Sequence, residues 1–167
     1  DYPLGREIKP AFSDIDKDGK LESIIAIKDR VSIINQQGKV TSMFQIPVKV
    51  CVISKACPDG KLNEFVAGSP VIADIDNDNK PEILFTTANL YANSKIDNNP
   101  NFEIVPYMQG YNSNIYILNA DGSLKNKTEI NNFLTAGELS VGQLDSDPEL
   151  EITLLSSNNP SSEPIEA

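Results

Sequence analysis

One nine-residue stretch, Asp14-Ile15-Asp16-Lys17-Asp18-Gly19-Lys20-Leu21-Glu22, constrains the fold of this chain more than any other, because it recurs. It returns as Asp74-Ile75-Asp76-Asn77-Asp78-Asn79-Lys80-Pro81-Glu82. A third version, Gln143-Leu144-Asp145-Ser146-Asp147-Pro148-Glu149-Leu150-Glu151, departs at its first and sixth positions. Acids on alternate residues, a glycine and a ninth-position Glu gather oxygens into a small cage of the kind that holds Ca²⁺. A stretch recurring at spacings of 60 and 69 residues marks a repeated structural unit.

The flanks recur as well. A short apolar strand precedes each loop: Ala11-Phe12-Ser13, Val71-Ile72-Ala73 and Ser140-Val141-Gly142. A β-rich segment follows each: Ile24–Ile27, Ile83–Thr86 and Ile152–Leu155. Branched and apolar residues in both arms predict a hairpin around each loop. A second element, Val31–Val40, matches Ile115–Leu124 at a constant offset of 84 residues, each a strand entering a glycine turn. One unit is therefore about four antiparallel strands, the content of a propeller blade. The predicted fold class is all-β, with about two and a half tandem blade-like units. Repeat one spans 1–67, with both cysteines in its returning limb, and repeat two spans 68–136, with a long Asn-rich insertion at 88–113. A partial third repeat spans 137–155, and 156–167 is a linker or disordered tail.

Loops with Asp at positions one, three and five also occur in EF-hands, which need a bidentate Glu at position twelve and helical flanks. Position twelve here is Ile25, Phe85 and Leu154, and the flanks are β-rich. An EF-hand is excluded. The loops and their strands instead resemble the FG-GAP/VCBS repeats of integrin-alpha-type β-propellers and of many bacterial extracellular proteins, over about residues 8–155. The Phe-Gly and Gly-Ala-Pro segments that name the family are not present as such. The resemblance implies calcium ligands at Asp14, Asp16, Asp18 and Glu22 with the Lys20 carbonyl, and at Asp74, Asp76, Asp78 and Glu82 with the Lys80 carbonyl. Asn79 replaces the sixth-position Gly but tolerates a left-handed backbone. Pro148 does not, and Gln143 removes a charge, so the third set, Asp145, Asp147 and Glu151, is expected to be weak or metal-free. Since each loop supplies nearly all its own ligands, the metal is expected to brace the hairpin rather than catalyse.

Composition removes several alternatives. The chain of 167 residues has no His, which excludes Ser-His-Asp and Cys-His catalysis and His-ligated zinc or haem within it. Its net charge of −10, with no Lys/Arg cluster, argues against nucleic acid, and no apolar run approaches a membrane span. Starting at Asp1 without Met or an apolar leader, it reads as a processed protein or a piece of a longer one. Cys51 and Cys57 read as a local disulfide, permitted in an extracytoplasmic setting, or as two thiols. Asn126-Lys127-Thr128 fits a glycosylation sequon. Tyr91, Tyr107, Tyr111 and Tyr116 lie in or beside the insertion, as a recognition patch or as ordinary packing.

The expectation is a non-catalytic, calcium-stabilised β-repeat module with a structural, adhesive or protein-binding role, outside the cell, at its surface or in the periplasm. Its partners would be a protein, further blades of the same precursor, or a second copy meeting open repeat edges. Two alternatives remain: an accessory propeller piece of a secreted polysaccharide-acting or peptidase-linked enzyme, and a filament or surface-layer subunit.

Overall fold

A computed structural model describes residues 8–47, 49–50, 61–90, 112–131 and 135–157, and all regular structure among them is antiparallel β-sheet. Cys51, Cys57, Tyr91, Tyr107, Tyr111, most of the insertion and the tail from 158 lie outside the described residues. No helix among the described residues is long and apolar enough to cross a membrane.

Strands β1 (Ala11–Ser13), β2 (Glu22–Ile27), β3 (Arg30–Ile34) and β4 (Val40–Gln45) form one sheet in chain order. Next come β5 (Lys49–Val50) and β6 (Lys61–Val66), then β7 (Val71–Ala73), β8 (Glu82–Leu90), β9 (Asn112–Leu118) and β10 (Leu124–Asn131). β7 to β10 repeat the chain-order pairing of the first sheet. β6, from residues of the first repeat, joins this second sheet by pairing with the far half of β8, on the edge that β7 also occupies. β11 (Thr135–Gly142) and β12 (Glu151–Ser157) form a third, two-stranded sheet.

The 84-residue correspondence extends to single hydrogen bonds. In the first sheet the Asn35 N–H reaches the Lys39 carbonyl and the Gly38 N–H the Asn35 carbonyl, both at 2.9 Å. In the second, Asn119 to Ser123 at 2.8 Å and Gly122 to Asn119 at 2.9 Å reproduce the turn. Gly38 and Gly122 adopt φ of 73° and 82°, which a side chain would resist. The strand after each turn slips register by one residue, leaving Thr41 and Lys125 as equivalent bulge residues.

Alternation along the strands sets how the sheets stack, since successive side chains point to opposite faces. On β8, Ile83 and Phe85 join Tyr116 and Leu118 in a core shared with Ile24, Ala26, Val31 and Ile33 of the first sheet. Leu84 and Ile117, one residue out of phase, pack instead with Leu139, Val141, Ile152 and Leu154 of the third. The second sheet is thus clamped between its neighbours. Phe44 of β4 closes on its aromatic pair, 6.3 Å from the Phe85 ring and 5.8 Å from Tyr116, while Phe85 and Tyr116 stack at 5.2 Å. Each such pair adds about 0.5–1.5 kcal/mol beyond burial.

The same alternation explains which residues remain uncovered. Phe12, Ile27 and Met43 lie on the face of the first sheet that has no neighbour among the described residues, and Phe12 is 62% exposed. Its counterparts Ile72 and Val141 both pack against an adjoining sheet. A row of equivalent positions ties the three units together at the sheet edges. The Lys9 N–H donates to Ser69 Oγ at 3.1 Å, and the Ser69 N–H and hydroxyl donate to the Glu138 carboxylate at 3.1 and 3.2 Å. Gly68 beside this row has no room for a side chain: a Cβ would stand 2.6 Å from Thr86 Oγ1 and 2.8 Å from the Gly137 carbonyl oxygen.

Candidate metal centres

All three acidic loops connect the first and second strands of a unit, and neighbouring loops touch. Lys17 Nζ in the first donates to the Asn79 carbonyl in the second, and the Leu150 N–H in the third reaches the Ile75 carbonyl at 3.2 Å. The apolar second position explains this seating. Ile15 is buried in the core between sheets one and two, Ile75 packs into the core between sheets two and three, and Leu144, with no further sheet beside it among the described residues, is 72% exposed.

The ninth-position glutamates share one role. Glu22 Oε2 accepts the Ile15 N–H at 3.1 Å, Glu82 Oε2 the Ile75 N–H at 3.0 Å, and Glu151 Oε2 the Leu144 N–H at 2.5 Å. Each acid closes the loop on its own second residue, with Glu22 and Glu82 buried. A charge-assisted hydrogen bond of this kind is worth about 1.5–3 kcal/mol.

The first position closes the turn from inside. Asp14 Oδ2 accepts the Gly19 N–H at 3.0 Å, and Asp74 accepts the N–H groups of Asp78 at 3.0 Å and Asn79 at 2.8 Å. Gly19 and Asn79 have φ of 85° and 65°, so the sixth position is left-handed in both loops, as expected for Gly and Asn. Lys17 and Asn77, at position four, are also left-handed, at 62° and 59°. The third loop has no left-handed residue, which fits its Pro148.

The donor sets then diverge. In the first loop, carboxylate oxygens of Asp14, Asp16 and Asp18 lie within 4.8 Å of one another, and Asp14 Oδ1 is buried with no donor. Oxygens on opposite sides of a Ca²⁺ stand about 4.6–5.2 Å apart, so this set fits the ion. Asp18 also holds the Lys20 ammonium at 3.0 Å, and this contact raises the Lys20 pKa. The Lys20 and Lys80 N–H groups fold back onto Asp18 Oδ1 and Asp78 Oδ1, at 2.9 and 2.7 Å.

In the second loop the close set is Asp74, Asp76 and Glu82, and a lysine reaches into it. Lys125 Nζ stands 2.6 Å from Asp76 Oδ2 and 2.7 Å from Glu82 Oε1. Hydrogen bonds to Asp76 and then Glu82 push the Lys125 pKa up, and the same Lys125 contact pulls Asp76 down. The third loop brings Asp145, Asp147 and Glu151 together, yet its own Gln143 amide donates to the carbonyls of Asp147 and Glu149, the latter at 3.1 Å. Lys125 and the Gln143 amide escaped the sequence reading. The one available signal for Lys125 was its place, 84 residues after Thr41, next to the turn.

A second polar cluster lies within the second sheet. Glu64 Oε1 accepts from Thr87 Oγ1 at 2.5 Å and Asn114 Nδ2 at 2.7 Å, while Lys127 Nζ sits 3.5 Å from Oε2 and 4.7 Å over the Tyr116 ring. Burial, reinforced by the Glu64 charge, pushes the Tyr116 pKa up. Tyr116 therefore belongs to core packing, and Asn126 stands exposed on β10. No family model, curated protein or solved structure matches the chain.

Proposed function

We propose that the chain is a calcium-braced module of propeller-type β-units, of the FG-GAP/VCBS kind, with a structural or protein-binding rather than catalytic role in an extracellular or cell-surface protein. The observation that carries this reading is Asp14 Oδ1, a buried acceptor with no donor, set among the carboxylates of Asp16 and Asp18. A buried oxygen without a partner is costly, and a bound cation removes that cost. Two or three adjoining acidic turns at the same place in each unit support a bracing role. The test is thermal melting with and without chelator. Calcium should raise the melting temperature of the full chain, and D14A should remove most of that response. Calorimetry showing no calcium uptake below millimolar concentration would overturn the reading.

The partner that best fits the uncovered face of the first sheet is another sheet of the same type. Phe12, Ile27 and Met43 share this face, and Phe12 occupies a position whose counterparts Ile72 and Val141 are each packed against a neighbouring sheet. Leu21 of the first loop is 59% exposed at the same end, where its third-loop counterpart Leu150 meets the preceding loop. The face should bind an environment-sensitive apolar dye, and F12D with M43D should abolish that binding. A face that stays silent to the dye in the wild type would remove this partner.

A further inference from the structure

We propose that Lys125 is the resident cation of the second acidic loop, holding it closed without metal and admitting a divalent ion only when the lysine leaves. This rests on the reading of the loops as calcium sites and concerns how one of them is regulated.

The geometry leaves a metal little alternative. Glu82 Oε2 is already committed to the Ile75 N–H at 3.0 Å, so Oε1 is the oxygen this acid has for a cation, and Lys125 Nζ lies 2.7 Å from it. The same nitrogen lies 2.6 Å from Asp76 Oδ2. Those distances are close to the 2.3–2.6 Å of a Ca²⁺–oxygen contact, so the ammonium stands about where the ion would stand. Both cations need the same two oxygens, and placing them side by side is electrostatically unfavourable. The contact is also partly shielded from water: the Glu82 side chain is 2% exposed and that of Lys125 29%.

The first loop supplies an internal control. The residue equivalent to Lys125 is Thr41, at the same bulge after the same turn. Its hydroxyl donates to the Ile33 carbonyl at 3.2 Å, away from the loop. Among the described residues no ammonium pairs with Asp14 or Glu22, and Asp14 Oδ1 has no partner at all. A single residue difference, Thr against Lys, therefore separates a loop whose Asp14 and closing glutamate meet no ammonium from one whose closing glutamate carries a lysine; the Lys20 ammonium of the first loop sits on Asp18 alone.

The experiment is calcium titration calorimetry on the full chain, paired with melting in chelator. Wild type should show one tight site, removed by D14A, and a second at least about tenfold weaker. K125T should tighten the weaker site by about tenfold or more, and adding D74A should remove the gain. The mirror variant T41K should weaken the first site, which a merely structural lysine would not predict. K125T should also melt lower than wild type in chelator and gain more on calcium addition. K39T, which removes a positive charge from the β3–β4 turn, should change neither site. Two wild-type sites of equal affinity, or a K125T titration unchanged while D14A still removes a site, would overturn the role of Lys125 and leave the calcium reading intact. Failure of every variant and the wild type to take up calcium would overturn the calcium reading itself.

Discussion

The first and third acidic loops are built on the same hairpin and closed by the same glutamate, yet they complete their interiors differently. Glu22 and Glu151 each accept the N–H of the loop's second residue. In the first loop Asp14 stands at the mouth with one buried oxygen unpartnered. In the third, Gln143 takes that place and its amide donates to the carbonyls of Asp147 and Glu149. An amide hydrogen thus does in one loop what a bound cation is expected to do in the other. The second loop lies between them, with Asp74 at its mouth and Lys125 as the donor. The hairpin is the common element, and the source of positive charge is what varies.

The largest effect that tests this contrast is metal-linked stability. At a calcium concentration about 100 times the dissociation constant, one site contributes about 2.7 kcal/mol. For a chain of this size that is a rise of roughly 5–10 °C in melting temperature. D14A should lose most of it, whereas Q143A should lose none, because the third loop is satisfied by hydrogen bonds. A calcium response that survives D14A and disappears in Q143A would reverse the comparison.

Next in size is the closing glutamate. E22A removes a buried charge-assisted bond and should cost about 2 kcal/mol in chelator. E151A, at a loop whose residues 143–149 are all exposed, should cost less than about 1 kcal/mol. Equal costs from denaturant unfolding of the two variants would show that burial does not separate these loops.

A smaller effect is expected from converting one loop into the other. Q143D with P148G restores the first-loop residues at the first and sixth positions. In chelator the variant should be destabilised by about 1 kcal/mol, through the lost amide bonds and the added charge. With calcium it should recover, and calorimetry should register one additional site. Recovery without calcium would mean that the third loop never depended on its amide.

How much of this was legible beforehand varies with the kind of signal. The hairpins, the turns at Gly38 and Gly122 and the strand edges follow from local pattern, because β-branched alternation and Asp-Gly chemistry act within a few residues. The left-handed sixth position was legible for the same reason, as was its failure at Pro148. The second-sheet attachment of β6 was not, since nothing near Lys61–Val66 says which sheet edge it pairs with. Lys125 was hidden for a related reason. Its partners Asp76 and Glu82 are 49 and 43 residues away in sequence, and no acidic pattern surrounds it. The buried cluster of Glu64, Thr87 and Asn114 likewise joins three strands, and single-strand patterning reads such polar residues as surface.

The smallest expected effect is the acid response of the second loop, where the Asp76 side chain is 45% exposed. Its pKa is lowered from 3.8, first by the hydrogen bond from Lys125 and, more weakly, by the attraction of its charge. A carboxylate whose folded pKa is depressed contributes stability that is present above its unfolded pKa and lost as pH falls through the folded value. In chelator, wild type should therefore melt above K125T at neutral pH, and the gap should narrow once the pH drops below about 3.8. Solvent screening keeps the contribution of Asp76 small, so the change in the gap should be modest. The first loop has Thr41 in place of that lysine, so T41V should leave the acid limb of the melting curve where it is. A gap between wild type and K125T that is the same at pH 3 as at pH 7 would detach Lys125 from Asp76, and with it the distinction between a loop that carries its own cation and one that waits for a metal.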